Sequence, residues 1–306
     1  MTFYANGKLL LTAEYFVLDG AKALALPTKL GQSLEITKNK TPNFAWDSEW
    51  TSFDTYNKEW YSCGFDSDAF ATAWESGENV GERLMSVLKT AKSLSGKNYK
   101  AGVNFETHLT FSREWGLGTS STLIYNLAKY LKIDPFLLLN KTFGGSGYDI
   151  ACAGAKRPIF FQRKKDKPIV SEVHFKPTFS NQLYFVFLNK KQNSREGIAR
   201  YREKCLNLPP QYFDQISALT DAFFSTTNLL DFEKLIIEHE KIVATVIDLP
   251  RAKSLYFNDF EGEIKSLGAW GGDFILATSD RSFEETKHYF EEKGFSTLLK
   301  YDDLIL

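Results

Sequence analysis

The stretch Trp115-Gly-Leu-Gly-Thr-Ser-Ser-Thr122 constrains this chain more than any other segment. Two glycines flank one leucine, hydroxyl residues follow, and the run enters the helix-like segment Leu123–Leu131. Glycines take backbone conformations that side chains block, so such a loop turns its N–H groups outward. A helix start adds unpaired N–H donors and the positive end of the helix dipole. The combination suits an anion, commonly phosphate. Thr119, Ser120 and Ser121 add hydroxyls that reach phosphate or magnesium. The same pattern also describes an ordinary capped helix start, so the rest of the chain has to decide.

Hydrophobic residues make up 43% and charged residues 25% of the 306-residue chain, the balance of a soluble globular protein with one large or two medium domains. No apolar run has the length of a membrane span, and the opening Met1–Lys8 segment lacks the pattern of a secretory signal, so no membrane partner is expected. A net charge of −1 provides no basic field for nucleic acid. Cys63, Cys152 and Cys205 are odd in number and widely spaced, which argues against a disulfide scaffold or zinc site and fits the cytoplasm. His108, His174, His239 and His288 are scattered without ligand spacing.

Alternating and apolar runs predict strands at Lys8–Thr12, Ala23–Leu26, Ser33–Thr37, Ala101–Thr110, Ile159–Gln162 and Leu183–Leu188. The aromatic-rich segment Phe44–Phe65 reads as an antiparallel hairpin packed against a sheet. Helices are expected at Asn79–Ser95, Leu123–Leu131, Pro135–Thr142, Ser194–Cys205, Gln211–Leu229 and Phe232–Ile247. The basic run Arg163–Lys167 reads as an exposed turn. The final third, with Ile264–Leu267, Phe274–Thr278, a helix at Phe283–Lys293 and Thr297–Tyr301, has a β-turn-β-α-β order that suggests a ferredoxin-like half.

Three glycine-rich segments lie far apart: Gly116–Ser121, Gly144–Gly147 and Gly268–Gly272. None matches a Walker A loop or a dinucleotide fingerprint. Taken in order, Asn6-Gly-Lys-Leu-Leu-Leu-Thr-Ala-Glu-Tyr-Phe-Val-Leu-Asp-Gly20, Gly116-Leu-Gly-Thr-Ser120, Gly145-Ser-Gly-Tyr-Asp149 and Gly268-Ala-Trp-Gly-Gly-Asp273 resemble the motifs of the galactokinase–homoserine kinase–mevalonate kinase–phosphomevalonate kinase (GHMP) superfamily. The string Gly-Tyr-Asp-Ile-Ala points to a bacterial branch, and Ser-Gly-Tyr-Asp and Gly-Gly-Asp look nearer phosphomevalonate kinase than mevalonate kinase. The resemblance implies an α+β, two-domain GHMP kinase fold. Its N-terminal domain (1–175) would be of the ribosomal-protein-S5 type and its C-terminal domain (176–306) ferredoxin-like, with ATP and acceptor meeting in the cleft between them.

The resemblance also implies roles. Lys8 would neutralise charge near the acceptor or Asp149, where the alternative is an edge-strand lysine reaching water. Asp149 would be the base or an electrostatic partner, where the alternative is a cap on Ile150–Gly154. Gly116, Leu117, Gly118, Thr119, Ser120 and Ser121 would hold the ATP phosphates, and Ser120 would also ligate Mg2+. Acceptor contacts would come from Glu14, Ser146, Gly147, Tyr148, Arg195, Gly268, Gly271 and Gly272. For Glu14 a salt bridge is an equal alternative, and for Arg195 a solvated helix start. The chain departs from the family pattern at three places. Ser112-Arg-Glu-Trp115 stands where a proline is usual, Leu138 where mevalonate kinases carry a second magnesium ligand, and Trp270 where a glycine is usual. That indole either narrows an acceptor pocket or joins the core. The expected activity is ATP- and Mg2+-dependent phosphorylation of a small-molecule acceptor, with mevalonate or phosphomevalonate first. Sugar or amino-alcohol kinases, the related decarboxylase and a non-catalytic ligand-binding relative stand as alternatives, and a homodimer stays open.

Overall fold

The structure, a computed structural model, describes residues 1–40, 46–96, 102–165, 167–192, 194–205 and 208–306. The ends at Phe44 and Ala101 of two expected strand regions, Asp166 of the basic run, and Asn193 beside Arg195 lie outside the described residues. Two compact units divide the chain. The first comprises Met1–Gly7, Leu30–Arg113 and Leu117–Gly154, and the second Lys8–Lys29, Glu114–Gly116 and Ala155–Leu306.

In the first unit the strands are β1 (Thr2–Leu10), β2 (Ala23–Lys38), β3 (Ser48–Phe53), β4 (Glu59–Asp66), β5 (Ala71–Gly77) and β6 (Val103–Leu109), where β1 and β2 continue into the second unit. The order is β5-β4-β3-β6-β2, with β1 on β2; β3 and β6 run parallel and the other pairs on that path antiparallel. Strict alternation of buried and half-buried residues along β3 and β6 gives the sheet one core face. Trp50 stacks on Phe105 there at 5.2 Å between ring centroids. Against this face pack α1 (Gly81–Ser95) and α2 (Thr119–Leu131), with α3 (Pro135–Thr142) and α4 (Tyr148–Gly154). The apolar spacing Leu84, Val87, Leu88, Ala91 is the stripe that α1 buries. Asp134 caps α3 through Phe136 N–H, with Pro135 preset at the first helical position.

One expectation changes here. Ala23–Leu26 and Ser33–Thr37 are parts of a single 16-residue strand, β2. Gly31 inside it does not make a turn. A Cβ there would stand 2.1 Å from Ala5 O and 2.8 Å from the Tyr4 ring, so the glycine permits close strand approach.

In the second unit β7 (Ile159–Gln162) pairs with Ala23–Ala25 of β2 and with β8 (Ile169–Glu172). A four-stranded antiparallel sheet follows the order β10 (Ile264–Ser266), β11 (Phe274–Thr278), β9 (Leu183–Phe187), β12 (Leu298–Lys300). Its helices are α5 (Ser194–Lys204), α6 (Gln211–Ser225), α7 (Leu229–Ile247), α8 (Ala252–Tyr256), α9 (Phe283–Glu292) and α10 (Tyr301–Leu304). The expected helix through Leu229 stops at Ser225, because Asn228 accepts Asp231 N–H and caps α7 instead. Ser282 and Glu285 form a reciprocal capping box on α9. Phe257 is fully buried against Phe290 and Phe295, at 5.2 and 5.4 Å between centroids. Replacing Phe257 by Ala is expected to cost about 3–5 kcal/mol in urea unfolding; a loss below about 1 kcal/mol would show that this aromatic cluster does not hold the unit.

Candidate functional site

In the first unit, Gly118 takes φ 101° as the residue before α2, a value that a side chain would strain. No side chain caps this start. The first intrahelical bond is Thr122 N–H to Gly118 O, so the preceding first-turn amides form no turn of their own. The helix is tied to β2 through Gln32: Thr122 Oγ1 donates to its Oε1 at 2.8 Å, and Asn126 Nδ2 to its backbone oxygen at 2.9 Å. The hydroxyls divide. Ser121 is buried and donates to Gly118 O at 2.9 Å. Thr119 and exposed Ser120 form no side-chain hydrogen bond among the described residues.

Within the same unit α4 packs on α2 where Gly154 leaves room for Tyr125, whose hydroxyl would be 2.1 Å from a Cβ at 154. Ser146 Oγ accepts Tyr148 N–H at 3.4 Å in the turn before α4. Asp149 sits half-buried in the first turn of α4 and accepts Ile150 N–H on Oδ1 at 3.0 Å. Leu138 is fully buried in the core cluster.

In the second unit the first glycine of the loop meets two charged residues. Lys8 Nζ donates to Gly116 O at 2.8 Å. The Asp273 carboxylate lies against Gly116, whose φ is 63°. Asp273 Oδ1 accepts Gln192 N–H at 3.0 Å. Burial pushes the Asp273 carboxyl up, against the opposing pull of Gln192 N–H, Lys8 and Lys191.

Glu14 and Lys265 are both fully buried and ion-paired at 2.6 Å. Buried Glu240 lies 3.9 Å from Lys265 and accepts Ser266 N–H at 3.0 Å. His239 Nε2 accepts Ala13 N–H at 2.9 Å, so the ring is neutral and its 3.4 Å approach to Glu14 Oε2 is no ion pair. Burial, then Lys265, holds the His239 pKa well below its usual value. Burial raises Glu14 to about 6 and Glu240 to about 8, with Lys265 opposing both shifts. The salt bridge expected as the alternative for Glu14 is present, to Lys265.

Next to it, Tyr15 Oη accepts Trp270 N–H at 3.0 Å, and Trp270 Nε1 donates to Pro250 O at 2.9 Å. Trp270 is 4% exposed, so its indole has joined the core. Gly268 and Gly271 have open space where a Cβ would stand, whereas Gly272 is crowded by Gln192 and Lys190. Arg195 is exposed in the first turn of α5.

The first unit thus gathers Leu117–Ser121 with Ser146–Asp149 through two packed helices. The second gathers Lys8, Gly116 and Asp273, and in the same unit carries Glu14 and the 268–272 turn. Sequence reasoning passed over Asp273, Lys265, Glu240 and Tyr15 as site residues. The visible signals were Asp273 closing the last glycine motif and Lys265 standing, like Lys8, in an apolar strand. Among the described residues no group of three or more His, Cys, Asp or Glu is placed to hold a metal, and no helix is long and apolar enough to cross a membrane.

No family model and no curated protein sequence matches this chain. Solved structures do. A protein from Listeria innocua shares 14% identity, covering 97% of this chain and 96% of its own, with a TM-score of 0.72. The mevalonate kinase of Methanococcus jannaschii shares 16% identity over 98% and 96%, with a TM-score of 0.69. The phosphomevalonate kinase of Streptococcus pneumoniae, solved with phosphomevalonate and AMPPNP, shares 16% identity over 98% and 99%, with a TM-score of 0.69. The chain has the α+β fold of the GHMP kinases.

Two measurements test the buried cluster. A carboxyl whose folded pKa is raised binds more protons in the folded state. Stability therefore falls as pH rises from the ordinary 4.5 to about 6 for Glu14 and to about 8 for Glu240. Glu240→Gln is expected to flatten the upper part of that slope in urea unfolding at a series of pH values; an unchanged slope would assign it elsewhere. Lys265→Met, which leaves two buried carboxylates without their cation, is expected to lose about 3–5 kcal/mol.

Proposed function

We propose that this chain is an ATP-dependent kinase that transfers the γ-phosphoryl group to a small-molecule acceptor. The observation that carries the reading is the uncapped start of α2 after Gly118, with Thr119 and Ser120 hydroxyls unengaged by the described residues. Backbone amides there bind phosphate oxygens, and the helix dipole favours their charge. Lys8 supplies an ammonium at Gly116, where it offsets charge that builds during transfer. Asp149 accepts the proton of the acceptor hydroxyl or orients that hydroxyl. The turn of Gly268, Gly271 and Gly272 offers backbone to the acceptor, and Arg195 a guanidinium to an acceptor phosphate.

Magnesium suits this set of donors, because Mg2+ takes few protein ligands, keeps waters and binds chiefly through the nucleotide phosphates. Ser120 would hold it, and when bound it would neutralise phosphate charge. Leu138 offers no second ligand.

Mevalonate and phosphomevalonate are the acceptors we put first. The two kinases of those names resemble the chain equally in identity and TM-score, so the likeness favours neither. A sugar kinase of the same fold is the next choice. Leu138, buried where an acidic ligand is expected, favours a second reading, a ligand-binding protein without turnover.

ADP release with MgATP is expected against mevalonate or phosphomevalonate rather than galactose or homoserine. Lys8→Met and Asp149→Asn are each expected to lower kcat by about 100-fold or more, with the melting temperature kept within a few degrees. Nucleotide binding without ADP release on any of these acceptors would favour the second reading, and unchanged kcat in both variants would sink the assigned roles.

A further inference from the structure

Asp273 has no part in the proposed reaction, yet its carboxylate is laid against the phosphate loop. A Cβ on Gly116 would stand 2.3 Å from Asp273 Oδ2, 2.4 Å from Cγ and 2.7 Å from Oδ1. The carboxylate therefore covers the open side of the glycine Cα, and no larger residue fits beneath it.

Asp273 is itself fixed. Its N–H donates to Lys190 O at 2.7 Å, its backbone oxygen accepts Leu188 N–H at 2.8 Å, and its Oδ1 accepts Gln192 N–H at 3.0 Å. Its φ of 52° lies in the left-handed region, uncommon for a residue with a side chain. Such strain persists only where the surroundings over-determine it.

Gly116 is also held on its carbonyl, by Lys8 Nζ at 2.8 Å. Trp115, one residue earlier, packs edge-on against Phe274 at 5.5 Å between centroids. The peptide plane that follows Gly116 is rigid, so fixing its carbonyl also fixes the direction of the next N–H.

We propose that Asp273 is a positioning residue, which by contact with Gly116 fixes the Gly116 peptide and with it the direction of the N–H that follows, a donor to nucleotide phosphate. This rests on the kinase reading above. A loop fixed beforehand loses less freedom when it binds, and that difference appears as affinity.

The test is calorimetric titration of the whole protein with Mg2+ and AMPPNP. Asp273→Ala is expected to weaken binding by about tenfold or more. Asp273→Asn keeps the outline and the acceptor for Gln192 N–H, and is expected to stay within about threefold of the parent. Gly116→Ala also weakens binding, because its methyl meets the carboxylate. In the double variant Gly116→Ala, Asp273→Ala the two losses should fall short of multiplying.

Should Asp273→Ala fail to fold, Asp273→Ser withdraws from Gly116 while keeping an acceptor, and serves in its place. Parent-like affinity of Asp273→Ala, equal losses for the Asn and Ala variants, or losses that multiply in the double variant would each overturn the proposal. Failure of the parent protein to bind AMPPNP would overturn the kinase reading itself, a result distinct from binding that the variants leave unchanged.

Discussion

The ion pair between Lys265 and Glu14 is the constraint on which the second unit's candidate residues depend. Both side chains are fully buried, and neither charge is tolerable there alone. Glu14 stands between Ala13 and Tyr15, with φ 65° and 64°, two left-handed residues that are not glycine. Each such conformation costs on the order of 1–2 kcal/mol. Separating the buried charges costs more, so the pair decides the conformation of the loop. That conformation turns the Tyr15 hydroxyl to Trp270 N–H and so fixes the 268–273 turn from one end. Asp273, at the other end of that turn, is held by Lys190 and Gln192. Beyond the pair, Glu240 caps Ser266 N–H, and Arg251 reaches Glu263 at 2.8 Å.

The hydroxyls after Gly118 show how one short segment serves two purposes. Ser121 and Thr122 face inward and stitch the helix to Gly118 and to Gln32 of β2. Thr119 and Ser120 face no such partner among the described residues. A run of four hydroxyl residues is therefore two anchors and two unengaged donors, and only the register of the helix separates them. The motif residues are accordingly unlike one another: Ser121 is buried where Ser120 is exposed.

Much of the fold could be read where local signals agree. Pro135–Thr142 has its Asp134 cap and first-turn proline, and Phe274–Thr278 is a short apolar run with a glycine turn before it. The continuity of β2 could not, since Pro27 and Gly31 look like breaks and only the neighbouring Ala5 and Tyr4 explain the glycine. Strands β5 and β8 are exposed along their whole length, so they carry no alternation to detect. In the candidate site, the loop and Asp149 stand in glycine-marked motifs. The partnership of Glu14 with Lys265 leaves no local trace, because 251 positions separate the two residues. A long separation in sequence likewise hides the contact of Asp273 with Gly116.

The division of the chain also orders its assembly in time. Residues of the first unit end at Gly154, but Lys8–Lys29, which precede most of that unit in the sequence, belong with Ala155–Leu306. At a synthesis rate of about 5–20 residues per second, Glu14 waits roughly 10–50 s for the arrival of the lysine 251 positions later. Until then its carboxylate stays in water, and the loop of Ala13 and Tyr15 has no reason to adopt its strained form. The nascent chain therefore carries the framework for this loop long before the charge that sets it, and this part of the second unit cannot close before β10 has been made.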